Sequence, residues 1–180
     1  MGVTKILSIK HQLSARLNYV TNSEKTHLAT DITYITNPEK TEQNFFVSAI
    51  NCLTPESVYD EMMNTKIRFG KTDGVQGFHI IQSFAPGEVT PEQAHNIGLE
   101  FCKRLLVDRF EAVIGTHLNK AHLHNHIIVN SVSLIDGRKY HSSYQHYFQE
   151  IRRISDELCA EHHLKVIDPK GKGEHYAVWK

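Results

Sequence analysis

A segment that alternates histidines with apolar residues constrains the fold of this chain more than any other feature. Four of the thirteen histidines fall within ten residues. Residues two apart in a strand share a face, so His122, His124 and His126 project together, with Asn130 further along the same face. The opposite face takes the apolar residues Leu123, Ile127 and Val129. The segment therefore predicts a strand over 122–133 with one histidine-rich face.

A second strand, over 110–116, precedes this segment, and a short turn at 120–121 would join the two as an antiparallel hairpin. That pairing places His117 opposite His124, where cross-strand Cβ atoms lie about 4.5 to 5.5 Å apart. Imidazoles from two adjacent strands can then converge on one ion. The candidate ligands are His117, His122, His124 and His126, and the pairing alone does not decide which three of them bind.

Three neutral ligands leave a divalent ion with nearly its full charge and with open coordination positions. Such an ion stabilises charge on a phosphate oxygen by several kcal/mol in a transition state. We expect His122, the histidine nearest the turn, to lie in the second coordination sphere or on substrate. The hairpin offers no carboxylate to activate water, which disfavours an ordinary zinc hydrolase. A tyrosine can attack a phosphodiester instead and form a covalent intermediate.

Two tyrosines stand out because the sequence around them is repeated fifteen residues apart. Residues 18–26 match residues 33–41 at six of nine positions. Each copy is expected to close a short helix with a tyrosine, Tyr19 in the first and Tyr34 in the second. We favour Tyr19 as the nucleophile, because it follows the first strand directly, whereas Tyr34 is expected on an inserted helix.

The remaining periodicity predicts an α/β (α+β) domain. Strands are expected at 3–10, 44–52 and 78–84, with helices at 12–21, 54–66 and 147–162. The clearest helix begins at Thr90, where Thr-Pro-Glu-Gln satisfies a capping box. We expect a single domain over 1–180, as the N-terminal part of a longer protein.

Composition excludes several classes of protein. With 180 residues, 40% hydrophobic and 22% charged, the chain can bury one core, and it contains no apolar run of the roughly 18 residues that a membrane span needs. The N-terminus lacks the pattern of an export signal. Three scattered cysteines form no metal-ligand pair. The expected location is the cytoplasm, with no membrane partner.

The net charge is zero, with twenty basic and twenty acidic residues. The charges are unevenly distributed, however, and residues 138–153 are locally positive. We expect this segment to hold backbone phosphates of nucleic acid. The predicted phosphate contacts are Arg138, Lys139, Arg152 and Arg153.

Three motifs in this order resemble those of the relaxases, or mobilisation nucleases, of the MOB-P type. The first is Tyr-x-x-Asn-x-Glu-Lys-Thr, the second runs from His79 through Ser83 to Glu88, and the third spans 117–130. The family is similar in fold to the HUH endonucleases, with a central antiparallel sheet, flanking helices and a metal held by three histidines. The resemblance covers nearly the whole chain. Asn125 departs from the pattern, because an apolar residue is usual between the two histidines.

The resemblance implies an enzyme that nicks one DNA strand at an origin of transfer, leaving a tyrosine on the 5′ phosphate and a free 3′ hydroxyl. It implies Mg²⁺ or Mn²⁺ at His117, His124 and His126. It also implies that Ser83 contacts DNA near the cleaved phosphate, with His79 beside it. The expected partners are single-stranded DNA and accessory mobilisation proteins, and the chain is expected to be a monomer.

Two other functions remain open. A rolling-circle replication initiator uses the same chemistry, but its histidine motif usually precedes the tyrosine, which is the reverse of the order here. A non-catalytic DNA-binding module would use the histidines to hold a structural zinc, and such a site unfolds when the metal is removed.

Overall fold

The computed structural model describes residues 3–10, 27–43, 45–119 and 122–166. The described strands are β1 Val3–Lys10, β2 Val47–Ile50, β3 Val75–Ser83, β4 Ala112–His117 and β5 His124–Asn130. The described helices are α1 His27–Ile35, α2 Val58–Arg68, α3 Pro91–Leu106, α4 Tyr144–His146 and α5 Arg153–Glu161, with a π-helical segment, Tyr147–Arg152, between the last two. The predicted helix at 12–21 lies outside the described residues.

The five strands form one antiparallel sheet in the order β1-β3-β5-β4-β2. Helices cover both faces, so the expected α+β architecture with a central antiparallel sheet is confirmed. The β4–β5 pair is the predicted hairpin, and its register places His117 opposite His124. On the other side of β5, Ser83 of β3 also lies opposite His124.

Each face of the sheet has its own apolar core. On one face, α3 and α5 pack against the strands, and the buried side chains include Ile80, Phe101, Ile127, Ile154 and Leu158. On the other face, α1 and α2 cover the sheet, and the buried side chains include Leu28, Ile32, Met62, Val113 and Ile128. Burying each such side chain contributes about 1.5 to 3 kcal/mol. The histidine-rich face of β5 is the one that α1 and α2 cover.

The capping box predicted at Thr90 is present. The Gln93 backbone N–H donates to Thr90 Oγ1 at 3.2 Å, and the Thr90 backbone N–H donates to the Gln93 side-chain oxygen at 2.9 Å. These two bonds satisfy N–H groups that the first helical turn would otherwise leave open. The helix ends at Leu106, and the residue that caps it, Val107, adopts a left-handed conformation with φ of 44°.

Several predicted boundaries differ from the structure. The strand predicted at 44–52 is confined to Val47–Ile50, because Phe45 and Phe46 form a turn and Asn51 has a φ of 55° that ends the strand. The strand predicted at 78–84 begins three residues earlier, at Val75. The strand predicted at 122–133 is limited to His124–Asn130.

Tyr34, which was expected on an inserted helix, lies in the last turn of α1. This helix packs directly on the sheet, and its residues Leu28, Ile32 and Ile35 are buried in the core.

No helix in the described part of the chain has both the length and the apolar character needed to cross a bilayer.

Candidate metal centre

Three histidines from two adjacent strands meet at one end of the sheet. Their potential ligand atoms all lie within 4.8 Å of one another. The ring centroids of His117 and His126 are 4.3 Å apart, and those of His124 and His126 are 4.7 Å apart. The strand register causes this convergence, because His117 lies opposite His124, and Gly115 lies opposite His126.

Each of the three rings is oriented by a hydrogen bond. His117 Nε2 donates to the Ile35 carbonyl at 3.1 Å, and His124 Nδ1 donates to the His122 carbonyl at 3.2 Å. His126 Nδ1 bonds to His79 Nε2 at 2.8 Å. Metal-binding histidines characteristically use their second ring nitrogen in this way, which fixes the tautomer and the ring direction.

His126 Nε2 is a buried polar atom that has no hydrogen-bond partner among the described residues. Leaving such an atom unsatisfied is costly. It lies within the group of three histidines, where a cation would satisfy it. The arrangement therefore fits a metal ion bound by these side chains.

The protonation state of the group also fits metal binding. Burial, reinforced by the neighbouring histidines, lowers the pKa of His126 to about 2. Burial likewise lowers the pKa of His117 and of His79 to about 4. His117 and His126, two of the three candidate ligands, are therefore neutral at pH 7, as is His79. Neutral imidazole is the form that binds a metal.

Tyr34 lies beside the histidines. It occupies the last turn of α1 and is half exposed. Its ring centroid is 5.5 Å from that of His117 and 5.8 Å from that of His126, with edge-on geometry in both contacts. The structure thus places a tyrosine and the three histidines at one location.

The end of α1 approaches β4 closely because residue 115 is a glycine. A Cβ atom at Gly115 would lie 2.0 Å from the Ile35 carbonyl oxygen, which is the same oxygen that accepts from His117. After the helix, the Leu118 backbone N–H donates to the Lys40 carbonyl at 2.9 Å. These contacts hold both the helix end and the following turn against β4.

The repeated Asn-x-Glu-Lys-Thr motif forms that turn in its second copy. The Asn37 side chain accepts from the Glu39 backbone N–H at 2.9 Å, and the Thr41 hydroxyl donates to the Asn37 carbonyl at 2.9 Å. Between them, Lys40 Nζ lies 3.6 Å from the centre of the Tyr34 ring. Sequence reasoning quoted this motif but assigned no role to Lys40, although its fixed spacing from the tyrosine was a usable signal.

Three other predicted site residues lie close to the histidines. His79 bonds to His126. Ser83 ends β3 opposite His124 and is half-buried. His122 is exposed, and its ring centroid is 5.5 Å from that of His124.

Asn130 lies at the opposite end of β5. It pairs with Gly77, whereas His124 pairs with Ser83, and six residues of strand separate the two positions by about 20 Å. Its side chain is fully buried and bonds to Lys66, Glu111 and the Met62 carbonyl. Asn130 therefore lies on the same face of β5 as the histidines, as predicted, but it does not line the histidine site.

The predicted phosphate contacts also lie away from the histidines. Lys139 Nζ donates to the carbonyls of Asp73 and Val75, at the Asn130 end of the sheet, and Arg138 is its neighbour. Arg152 and Arg153 lie on the helices that cover the opposite face of the sheet, where they pair with acidic residues. Tyr19 lies outside the described residues.

Comparison with known proteins identifies relatives of this chain. The family described as "Relaxase: MobA/VirD2-like, nuclease domain" matches residues 34–164. The protein rlx of Staphylococcus aureus is 37% identical over 69% of this chain and 37% of its own length. The group II intron-interrupted relaxase LtrB of Lactococcus lactis subsp. cremoris is 31% identical over 64% of this chain and 24% of its own length. The chain thus spans less than two fifths of the length of these relatives.

A solved structure with the same fold comes from work titled "Molecular Basis of Vancomycin Resistance Transfer in Staphylococcus aureus". The TM-score is 0.60 at 10% identity, and the match covers 92% of this chain and 96% of that one. This likeness supports the fold alone. The family match covers most of the sequence and includes Tyr34 and all three histidines, and the chain therefore belongs to the MobA/VirD2-like relaxase family.

Proposed function

We propose that this chain is the nuclease domain of a DNA relaxase that nicks one strand at an origin of transfer, for mobilisation of a plasmid or an integrative element in the cytoplasm. The observation that carries the proposal is the tyrosine ring packed edge-on against a group of three histidines in a relaxase fold. The family supports DNA nicking, and this geometry supports a tyrosine as the attacking group.

The proposed reaction exchanges one phosphodiester for another. The tyrosine oxygen forms a bond to the phosphorus while the bond from phosphorus to the 3′ oxygen breaks. The phenol loses a proton and the 3′ oxygen gains one, so the products are a 5′-phosphotyrosine and a free 3′ hydroxyl. Covalent capture preserves the bond energy for later rejoining of the strand.

The three histidines would hold a divalent cation, His126 through its buried Nε2 and His117 through Nδ1, since its Nε2 donates to Ile35. When bound, this cation would supply Lewis-acid stabilisation of a phosphate oxygen. Imidazole ligands favour transition metals over Mg²⁺, so of the two expected ions we propose Mn²⁺. The role of His79 would be to orient His126 through their hydrogen bond.

The geometry supports Tyr34 as the nucleophile, whereas the sequence favoured Tyr19, which lies outside the described residues. A test needs both single variants, Tyr34→Phe and Tyr19→Phe. Each protein is mixed with Mn²⁺ and 3′-labelled single-stranded oligonucleotides tiled across the DNA that flanks the gene, and covalent adducts are separated by denaturing electrophoresis. We expect Tyr34→Phe to abolish the adduct and Tyr19→Phe to retain it.

The opposite pattern would assign the reaction to Tyr19. An adduct that survives in the double variant would exclude both tyrosines, and the absence of any adduct with the wild-type protein would contradict the proposed activity. Mapping the peptide linked to DNA provides an independent identification of the nucleophile.

DNA contacts near the cleaved bond are proposed for side chains that surround the histidines, namely Lys40, Ser83 and His122. Arg138, Lys139, Arg152 and Arg153 are proposed to contact only phosphates distant from that bond, because they lie at the far end or on the opposite face of the sheet. Phosphate contacts of this kind weaken steeply with salt.

A further inference from the structure

A row of buried polar side chains crosses the sheet directly behind the histidines. Thr116 on β4, Asn125 on β5 and Gln82 on β3 are cross-strand neighbours at one level of the sheet. All three are fully buried, on the face that otherwise holds the apolar core of α3 and α5. The proposed function assigns no role to any of them.

Hydrogen bonds connect the three side chains to each other and to the helices above them. The Thr116 hydroxyl donates to Asn125 Oδ1 at 2.6 Å. Asn125 Nδ2 donates to Gln82 Oε1 at 3.1 Å and to the Ala94 carbonyl of α3 at 2.7 Å. Gln82 Nε2 donates to the Ser155 hydroxyl of α5 at 3.0 Å.

The row extends in the other direction through His95 of α3. Its Nδ1 bonds to the Thr116 hydroxyl oxygen at 2.8 Å, and its Nε2 bonds to the Ser48 hydroxyl of β2 at 2.9 Å. Because the Thr116 proton points to Asn125, the Thr116 oxygen accepts from His95 Nδ1–H, and Nε2 is left to accept from Ser48. We name the six connected side chains the polar row: Ser48, His95, Thr116, Asn125, Gln82 and Ser155.

The polar row and the histidines alternate along the same two strands. Thr116 directly precedes His117, and Asn125 stands between His124 and His126. Since successive side chains of a strand point to opposite faces, the polar row fixes the backbone between the candidate ligands from behind. A sheet that slipped by one residue would lose these bonds and move the histidines to the wrong face.

Helix α3 is fitted closely around this row. A Cβ atom at Gly98 would lie 2.5 Å from Asn125 Nδ2 and 2.4 Å from Ile114 Cδ1. The glycine therefore leaves space for the amide to reach the Ala94 carbonyl. Asn125, which departs from the usual motif, has a complete set of partners here.

We propose that the polar row positions His117, His124 and His126 for cation binding, with Thr116 and Asn125 as positioning residues that act through the adjacent histidines. The inference rests on the proposed function, because it assumes that the histidines bind a cation. Well-packed apolar side chains could stabilise this layer equally well, whereas a connected polar network specifies one register.

Thr116 offers a matched pair of variants. Thr116→Val keeps the shape of the side chain and removes the hydroxyl that joins His95 to Asn125, while Thr116→Ser keeps the hydroxyl. Co²⁺ is titrated into each metal-free protein at a temperature below its unfolding transition, with visible absorption reporting both affinity and ligand geometry. Loss of an outer partner typically weakens a metal site by about 10- to 100-fold, and we expect Thr116→Val to weaken Co²⁺ binding at least tenfold and to change the spectrum. Thr116→Ser should stay within about twofold of the wild type.

Two further variants separate positioning from stability. Val129→Ala lies on the same strand and face as Asn125 but outside the polar row, and should lower the melting temperature without changing Co²⁺ affinity or spectrum. Ser155→Ala removes the helix α5 hydroxyl that accepts from Gln82 and leaves every strand residue unchanged. It replaces Thr116→Val as the test if that variant does not fold. We expect Ser155→Ala to weaken Co²⁺ binding about threefold.

Co²⁺ affinity and spectrum unchanged in every polar-row variant that folds would overturn the inference and leave the proposed function intact. Equal weakening in Val129→Ala would also overturn it. A wild-type protein that binds no Co²⁺ would refute the cation site itself, and the positioning role with it.

Discussion

The ammonium nitrogen of Lys40 lies 3.6 Å from the centre of the Tyr34 ring, while the ring centroids of His117 and His126 lie 5.5 Å and 5.8 Å from the same centre in T-shaped contacts. The tyrosine ring thus contacts a cation and two imidazoles. The turn that follows α1 creates this contact, because its hydrogen bonds fix Lys40 above the ring.

Replacing Lys40 with methionine should slow formation of the DNA adduct about tenfold. A partly desolvated cation–π contact contributes about 1 to 2 kcal/mol, and the same ammonium is close enough to the site to hold a phosphate. Lys40→Arg retains the charge and should recover most of the rate, while Lys103→Met, at an exposed position of α3, serves as the control. A rate for Lys40→Met equal to that of the control would exclude this role.

Removing the metal should leave the protein folded. The three histidines are not part of either apolar core. The cores should therefore stay packed after the metal is chelated. We expect the melting temperature after EDTA treatment to fall by only a few degrees, with complete loss of adduct formation that Mn²⁺ restores. Unfolding on chelation would instead identify a structural zinc site.

The metal-free protein should lose stability as the pH falls from about 6.5 to 4. Burial lowers the pKa of His79 and His117 to about 4 and that of His126 to about 2, whereas unfolded histidines titrate near pH 6.5. Below pH 6.5 the unfolded chain therefore binds more protons than the folded chain, and the free energy of unfolding decreases. Thermal melts between pH 7 and pH 4.5 measure this effect.

His126→Gln provides the control for the pH series, because it removes the histidine with the most strongly lowered pKa. Its melting temperature should depend less on pH over the same window. A wild-type melting temperature that does not change between pH 7 and pH 4.5 would contradict the prediction.

Replacing Glu111 with alanine should destabilise the fold by about 3 to 5 kcal/mol, the usual cost of leaving a buried charge without its partner. Glu111 and Lys66 are both buried, and Asn130 bonds to each of them. A Glu111→Ala, Lys66→Met double variant also removes the charge of the lysine, and it should recover much of the lost free energy of unfolding. Urea unfolding of both variants measures the coupling, and equal destabilisation in the two would refute it.

The alternating pattern made the hairpin predictable. A strand has a period of two residues, so the identity of each side chain decided which face it would take. The expected pairing of the two neighbouring strands places His117 opposite His124, as the structure does. The capping box at Thr90 was equally local, since both of its residues lie within one helical turn.

The position of Tyr34 was not predictable in the same way. It depends on the packing of α1 against β4, which the space above Gly115 permits, and no local pattern encodes that contact. Asn130 illustrates the same difficulty, because the pattern gave its face correctly but not its distance from the histidines. The role of Asn125 became apparent only when α3 and β3 supplied its partners.

The hydrogen bond between His117 and the Ile35 carbonyl has a practical consequence for engineering. Ile35 is the residue next to Tyr34 in the chain, so two adjacent residues of one helical turn orient an imidazole and place the phenol beside it. Transplanting the β-hairpin alone into another scaffold would carry over the three imidazoles without the aromatic hydroxyl. A working graft must include the terminal turn of the helix and a glycine beneath it.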